Sequence, residues 1–457
     1  MHPVHMSYPA HIRAVLVLGL PLVGGHMAQM AIGLTDTIMV GRYGSEALAT
    51  VTLATTLFFT LFVVGMGFAY AVMPMVAKYD AEGDDQKVRR ATRMGLWLSA
   101  FFCLAVLPLL WWSEAVLLIL RQEPDIAAGA QVYLRILAIG LLPALVVMTL
   151  KSYLAALGKT QVVFWVTVVA VPFNAFANYA LIFGNFGFPE LGLRGAALAS
   201  LSTHTFSALV VIGYILVWVP QHALFQRLWK SDREMLSEVF RLGWPIGLTL
   251  LSESFLFAAS AIMMGTLGQV PLAAHGIAIQ LASMTFMLHL GLSNAATVRA
   301  GNAFGREDWS HMARGGRVAL ALSAGIAVLT IAIFVTFPEP LMSIFLDADD
   351  PDRAEIFRIG VVLLFLAALF QLVDGAQVVA LGLLRGVQDT QMPMILAAVS
   401  YFGIGLPAAY VLGLTFGLGG VGIWTGLVLG LAVASVLLNH RFWFRTVPEL
   451  SASPAPA

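Results

Sequence analysis

Long apolar stretches separated by short polar ones recur twelve times along the chain. A helix rises 1.5 Å per residue, so about 20 apolar residues cross the roughly 30 Å hydrocarbon layer of a bilayer. Stretches of that length lie at 14–40, 46–77, 91–113, 126–157, 161–183, 193–219, 235–266, 271–299, 311–337, 353–385, 392–413 and 419–444. They predict twelve transmembrane helices, numbered 1 to 12 in chain order. No polar stretch is long enough for a separate soluble domain. The start of the chain has no cleavable signal pattern, so helix 1 is expected to be retained. The tail 446–457, ending SASPAPA, is expected to be disordered.

Composition agrees. Residues AVILMFWYC make up 59% and charged residues 11%, where about 25% charged is usual. So much apolar surface cannot be hidden inside one soluble body, which excludes a disordered chain, a nucleic-acid binder and most soluble enzymes. The 25 Lys+Arg balance the 25 Asp+Glu, so net charge points to no polyanionic partner. A single cysteine, Cys103 in an apolar run, excludes a disulfide framework and a thiolate metal cage.

Charge placement tests the helix count. With the N-terminus in the cytoplasm, all but six of the 25 basic residues fall on the cytoplasmic side, the six being Arg42, Arg121, Arg135, Arg194, Arg353 and Arg358. The positive-inside rule expects this split, and a missed helix would scramble it. Both termini are therefore expected in the cytoplasm. The two halves also match. Leu18-Gly19-x-Pro21 recurs as Leu242-Gly243-x-Pro245, and at the same offset of 224 Met39, Gly41, Gly44 and Gly67 meet Met263, Gly265, Gly268 and Gly291. Six helices per half is an even number, so the repeat is parallel, and sites then tend to lie between or within the lobes near mid-membrane. The expected fold is an all-α polytopic membrane protein of two six-helix lobes. The N-lobe covers 10–219 (helices 1–6) and the C-lobe 235–445 (helices 7–12), with a cytoplasmic linker at 220–241.

Three acids lie inside the predicted helices: Asp36 in helix 1, Glu253 in helix 7 and Asp374 in helix 10. A charged Asp at a helix centre costs about 2.5–3.5 kcal/mol on insertion scales, a cost that usually marks function. The structural alternative is a buried salt bridge, which needs a basic residue at similar depth. None lies near the middle of a span. Lys151 and Arg135 sit nearer the ends of helix 4, and Arg385 is about 16 Å along the axis from Asp374. Without a fixed cation, each acid must be protonated, hydrogen-bonded or neutralised by something that comes and goes. That is the chemistry of a coupled transporter. The acids break the repeat: Asp36 corresponds to Ser260, and Glu253 to Gln29.

Asn174 and Asn178 in helix 5 share a face at i, i+4 spacing, just after Pro172, which frees a backbone carbonyl. Two amides there suit a cation or a polar substrate, or else an interhelical hydrogen bond. Gln280 and His275 in helix 8 are weaker candidates. Ser200 and Thr203 in helix 6 read first as packing residues. Gly417-Leu418-Gly419-Gly420-Val421-Gly422 fits G-x-G-x-x-G, but no strand precedes it, so it is not read as a nucleotide site. Gly422, Gly426 and Gly430 are spaced for close helix packing. No H-E-x-x-H and no Walker A pattern occurs.

The run Ala380-Leu381-Gly382-Leu383-Leu384-Arg385-Gly386-Val387-Gln388-Asp389-Thr390-Gln391-Met392-Pro393 resembles the loop after helix 10 of MATE (multidrug and toxic compound extrusion) exporters. Gly405-Leu406-Pro407-Ala408-Ala409-Tyr410, Gly192-Leu193-Arg194-Gly195-Ala196-Ala197, Leu18-Gly19-Leu20-Pro21 and Asp36-Thr37-Ile38-Met39-Val40-Gly41 fit the same family, so the resemblance spans about residues 10–445. Glu253 favours its NorM-like branch. The resemblance implies a monomeric multidrug efflux antiporter of the inner (plasma) membrane, exporting organic cations and drugs by alternating access. The coupling ion would be Na⁺ or H⁺, with no further cofactor and no nucleic-acid partner. Asp36 matches the N-lobe coupling acid, completed by Asn174 and Asn178. Glu253 and Asp374 match the C-lobe acids tied to Na⁺, with Gln280 as a candidate further ligand. Phe370 stands where some relatives have Tyr. The competing expectation is a lipid or lipid-linked-sugar flippase of a related superfamily. Such proteins often carry fourteen helices and a more basic cavity.

Overall fold

The computed structural model describes residues 6–346 and 351–452. Twelve helices are long and apolar enough to cross a membrane, and no strand occurs among the described residues. They are α1 (Tyr8–Tyr43), α2 (Ser45–Glu82), α3 (Asp85–Trp111), α4 (Pro124–Ala156), α5 (Thr160–Phe183), α6 (Leu193–Trp218), α7 (Arg233–Thr266), α8 (Gln269–Gly305), α9 (Trp309–Thr336), α10 (Arg353–Gly386), α11 (Gln391–Thr415) and α12 (Gly419–Ala452). The twelve-helix fold expected from the sequence is therefore present. One expectation needs correcting. α12 stays helical through Ala452, into the stretch expected to be disordered, while 453–457 lie outside the described residues.

Local chemistry sets the helix ends. Gly83 takes a left-handed φ of 75°, donates to the Asp80 and Tyr79 carbonyls and closes α2. Asp84 then caps α3, its carboxylate accepting the Lys87 amide at 2.9 Å. In the second half Asp308, 224 residues on, caps α9 by accepting the His311 amide at 2.9 Å. Pro407 cannot donate to a helical ladder. Around it α11 loosens into π-helical turns at Val399–Gly405 and Val411–Thr415. α12 packs on α11 through glycines: a Cβ on Gly426 would lie 2.2 Å from the Ala409 nitrogen, and one on Gly430 2.8 Å from the Gly405 Cα. These are the close-packing glycines expected from their spacing.

The helices form two compact units, Gly24–Leu248 and the remainder. The division falls inside α1 and inside α7, not in the 220–241 linker. The first half of α1 packs with the second set of helices, and the first half of α7 with the first set. The repeat glycines mark both contacts. A Cβ on Gly67 of α2 would stand 2.4 Å from the Gly243 carbonyl oxygen of α7, and one on Gly291 of α8 would stand 2.3 Å from Val23 of α1. Much of the linker is fixed on α3: Arg90 pairs with Asp232 and Glu234, and the Trp97 indole donates to the Leu228 carbonyl at 2.7 Å. In the Gly24–Leu248 unit α4 is central, lying against α2, α3 and α6. In the other, α10 is central, against α8, α9 and α12.

Candidate functional site

Asp36 is half-buried on α1 and meets the amide face of α5. Its Oδ1 accepts from Asn174 Nδ2 at 2.9 Å and from Asn178 Nδ2 at 2.6 Å. The Ser200 hydroxyl of α6 is a further partner. The amides are themselves tied: Asn178 Nδ2 reaches Asn174 Oδ1 at 3.2 Å, and Asn174 Nδ2 reaches the Thr203 hydroxyl at 3.4 Å. Asn178 Oδ1 is buried without a donor. The i, i+4 spacing that put both amides on one face thus aims them at the acid, and Ser200 and Thr203 join the same network. A carboxylate held by neutral donors, with no ion pair within 4 Å among the described residues, can take up a proton or a cation without breaking a salt bridge.

The second cluster lies on α7, α10 and α11. Asp374 is 1% exposed, and its Oδ1 has no hydrogen-bond partner. Glu253 is half-buried and close enough for its charge to act on Asp374. Both acids act on the Tyr401 hydroxyl, which receives a hydrogen bond from Gln377 Nε2. Arg385 is a correction. Measured along α10 it is remote from Asp374, yet its buried guanidinium lies within Coulombic reach of Glu253. The pair is therefore not without a fixed cation, although neither acid forms an ion pair within 4 Å among the described residues. Arg135 is spent elsewhere, donating to the Trp111 carbonyl at 2.9 Å.

Gln371 and Gln377 flank Asp374 one turn either side on α10. Each has a buried Oε1 without a donor, so this face carries three orphaned acceptor oxygens. Such an excess of acceptors over donors is what a hard cation or a proton relieves. Their i±3 spacing made both glutamines legible in the sequence, but they were not singled out. No hydrogen bond joins Gln280 to either acid. His275 is a packing residue, accepting from the Trp424 indole at 3.0 Å. Phe370 is buried and packs edge-on against Phe257 and Trp424.

Comparison with known proteins places this architecture. The family model described as MatE matches residues 21–180 and 245–411. The chain belongs to the MATE family. Both matched segments include helices that carry the two clusters. The chain is 46% identical to the "Probable multidrug resistance protein NorM" of Rhizobium meliloti (strain 1021), over 98% of this chain and 96% of that one. It is 43% identical to the protein of the same name in Agrobacterium fabrum (strain C58 / ATCC 33970), over 95% and 94%. Among solved structures, MATE in complex with MaL6 superposes with a TM-score of 0.88 at 20% identity, covering 97% of this chain and 98% of that one. The eukaryotic MATE transporter AtDTX14 does so with 0.86 at 18%, covering 97% and 98%. MATE proteins are multi-pass membrane transporters, so these buried acids belong to a transport protein and not to an enzyme's catalytic apparatus.

Proposed function

We propose that this MATE protein is a multidrug efflux antiporter that exports organic cations and drugs in exchange for Na⁺ or H⁺ by alternating access. In this reading it works as a monomer in the inner membrane with both termini cytoplasmic. The observation that carries it is the pairing of two unlike acid clusters, neither closed by an ion pair, inside a chain whose relatives bear multidrug-resistance names. Asp36, surrounded by neutral donors, serves proton exchange. Glu253 and Asp374, with the unsatisfied oxygens of Gln371 and Gln377 on the same helix, serve Na⁺, a hard cation that prefers oxygen ligands. Charge drives the cycle in either case. A carboxylate that gains a cation loses its need for hydrogen-bond donors, so each unit's packing energy changes with ion occupancy.

The test is accumulation of a fluorescent organic cation in inverted vesicles, with a sodium gradient and a pH gradient imposed separately at clamped voltage. Uptake driven by either gradient supports antiport. Uptake indifferent to both, or lipid movement without drug movement, refutes it.

A further inference from the structure

The α10 cluster has more acceptors than donors; where α1, α8 and α9 meet in the same unit, the balance reverses. Arg299 lies near the end of α8. Its Nη2 donates to His11 Nδ1 of α1 at 2.8 Å and to His311 Nε2 of α9 at 3.1 Å. A guanidinium only donates, so both facing ring nitrogens are unprotonated, and each neutral imidazole carries its proton on the other nitrogen. For His11, which is 0% exposed, that other nitrogen is Nε2, and it has no partner. Arg299 Nε is also buried without a partner. Nη1 makes no hydrogen bond among the described residues. Of the five guanidinium N–H groups, only the two on Nη2 are therefore spent.

No counter-charge closes this place. No carboxylate lies within 4 Å of Arg299, Arg306, Arg314 or Arg317 among the described residues. Arg306 caps the end of α8, and Arg314 lies one turn beyond His311 on α9. The acid nearest in sequence, Asp308, is committed: its Oδ1 accepts from the His311 amide at 2.9 Å and from the Ser310 hydroxyl at 3.0 Å. A small cavity runs beside the guanidinium, lined by Ala296, Arg299, His311, Met312, Gly315 and Leu383. Gly315 leaves room there, since a Cβ on it would stand 3.8 Å from Arg299 Nε. The depth is that of the headgroup layer. α1 and α9 begin here and α8 ends here, with Arg299 about 9 Å along the axis from Gly305. Trp309 opens α9, and Arg317 lies over the Trp443 ring at 5.7 Å; Trp at helix ends marks the membrane–water interface.

We propose that Arg299, with His11 and His311, binds the phosphate of an anionic phospholipid in the leaflet at this end of the helices, the side that the basic residues mark as cytoplasmic. A phosphate supplies oxygen acceptors to the unspent guanidinium N–H groups and the negative charge that the cluster lacks. A zwitterionic headgroup brings its own cation to a place already crowded with arginines and binds less well. The bound lipid fastens the start of α1 to α8 and α9. α1 goes on to carry Asp36, so occupancy bears on the helix that the coupling chemistry uses, while the binding itself needs no transport.

The test is isothermal titration calorimetry on the full chain in a nonionic detergent. The titrants are dioctanoyl phosphatidylglycerol, dioctanoyl phosphatidylcholine and inorganic phosphate. Wild type should bind the glycerol lipid about tenfold or more tightly than the choline lipid. Arg299→Gln should remove about tenfold of that preference, the worth of one charge-assisted hydrogen bond. Arg314→Gln, which leaves both imidazole bonds of Arg299 in place, should lower it about fivefold; it keeps the test open if Arg299→Gln does not fold. Arg233→Gln, an exposed arginine of the other unit, should leave the preference within about twofold of wild type. Equal binding of the two lipids by wild type overturns the proposal with no variant needed. So does a preference that Arg299→Gln and Arg314→Gln leave intact, or one that Arg233→Gln lowers as much, which would mark diffuse charge. Inorganic phosphate binding as tightly as the glycerol lipid would give the site to a soluble phosphate and overturn the lipid assignment.

Discussion

Replacing Asp36 with Asn removes the charge from the α1 site while leaving its shape. Two opposing terms follow from the geometry. The Asn174 and Asn178 amides now donate to a neutral oxygen. Charge-assisted bonds contribute about 1.5–3 kcal/mol and neutral ones about 0.5–1.5, so the two contacts together lose about 2–3 kcal/mol. Against this, the insertion cost of the charge is relieved, which returns up to about 3 kcal/mol. The network also holds one buried acceptor without a donor, Asn178 Oδ1. The terms nearly cancel, so we expect normal membrane levels and a melting temperature within a few degrees of wild type. Efflux should be abolished, because an amide cannot exchange a proton or balance a cation at this site. The assay is drug resistance and dye accumulation in cells lacking their own exporters, with membrane-fraction levels and the melting temperature of purified protein measured in parallel. Wild-type resistance at normal levels would refute the role of Asp36. Loss of resistance together with a drop of more than about 10 °C would refute the cancellation and mark a folding defect.

If Na⁺ is handled by the α7–α10 pair, Glu253→Gln and Asp374→Asn should each weaken the sodium dependence of efflux at fixed pH; equal sodium dependence in wild type and both variants would exclude the pair. Gly67→Val places a Cβ 2.4 Å from the Gly243 carbonyl oxygen and the Gly247 nitrogen, and overpacking of this kind costs about 1–3 kcal/mol; thermal unfolding should register it, and an unchanged melting temperature would contradict the contact. Outside the membrane, the Arg90 guanidinium holds Asp232 below the usual carboxylate range, with the Met235 amide assisting. A lowered carboxyl stabilises the fold fully above its unfolded value of about 4 and loses that contribution as pH falls through the lowered one. Asp232→Asn should therefore lower the melting temperature at neutral pH and leave it little changed in strong acid.

The helices were legible because hydrophobic length is a local property. The apolar stretch 161–183 became α5, Thr160–Phe183, within one residue. The acid positions were legible for the same reason, since cost depends on depth along one helix. Asn174 and Asn178 were legible as a face, but that the face meets Asp36 depends on how α1 packs. Arg385 was misjudged because depth was counted along the helix that carries it, whereas its charge sits at the tip of a long stem and acts on a group of another helix. Tyr401 gave no sequence signal, because its part in the second cluster comes from α11 packing beside α10.

The two halves share a folding device and differ in electrostatics, and the difference follows from what the repeat left free to vary. Gly67, Gly243 and Gly291 stand where neighbouring helices approach too closely for a Cβ, so these positions are held by packing, whereas a Cβ on Gly19 would meet nothing closer than the Leu292 side chain at 3.3 Å. The acid positions carry no such constraint; Asp36 faces Ser260 in the repeat, and Glu253 faces Gln29. One unit consequently holds a single carboxylate among amides and hydroxyls. The other sets two carboxylates against one guanidinium, leaving a single net negative charge when all three are ionised. On the proposed reading, each cluster reaches neutrality by taking one monovalent ion, and a second would leave an uncompensated positive charge in low dielectric. Arg385 then has a definite part. It sets the C-lobe pair to take one ion where two bare carboxylates would favour two.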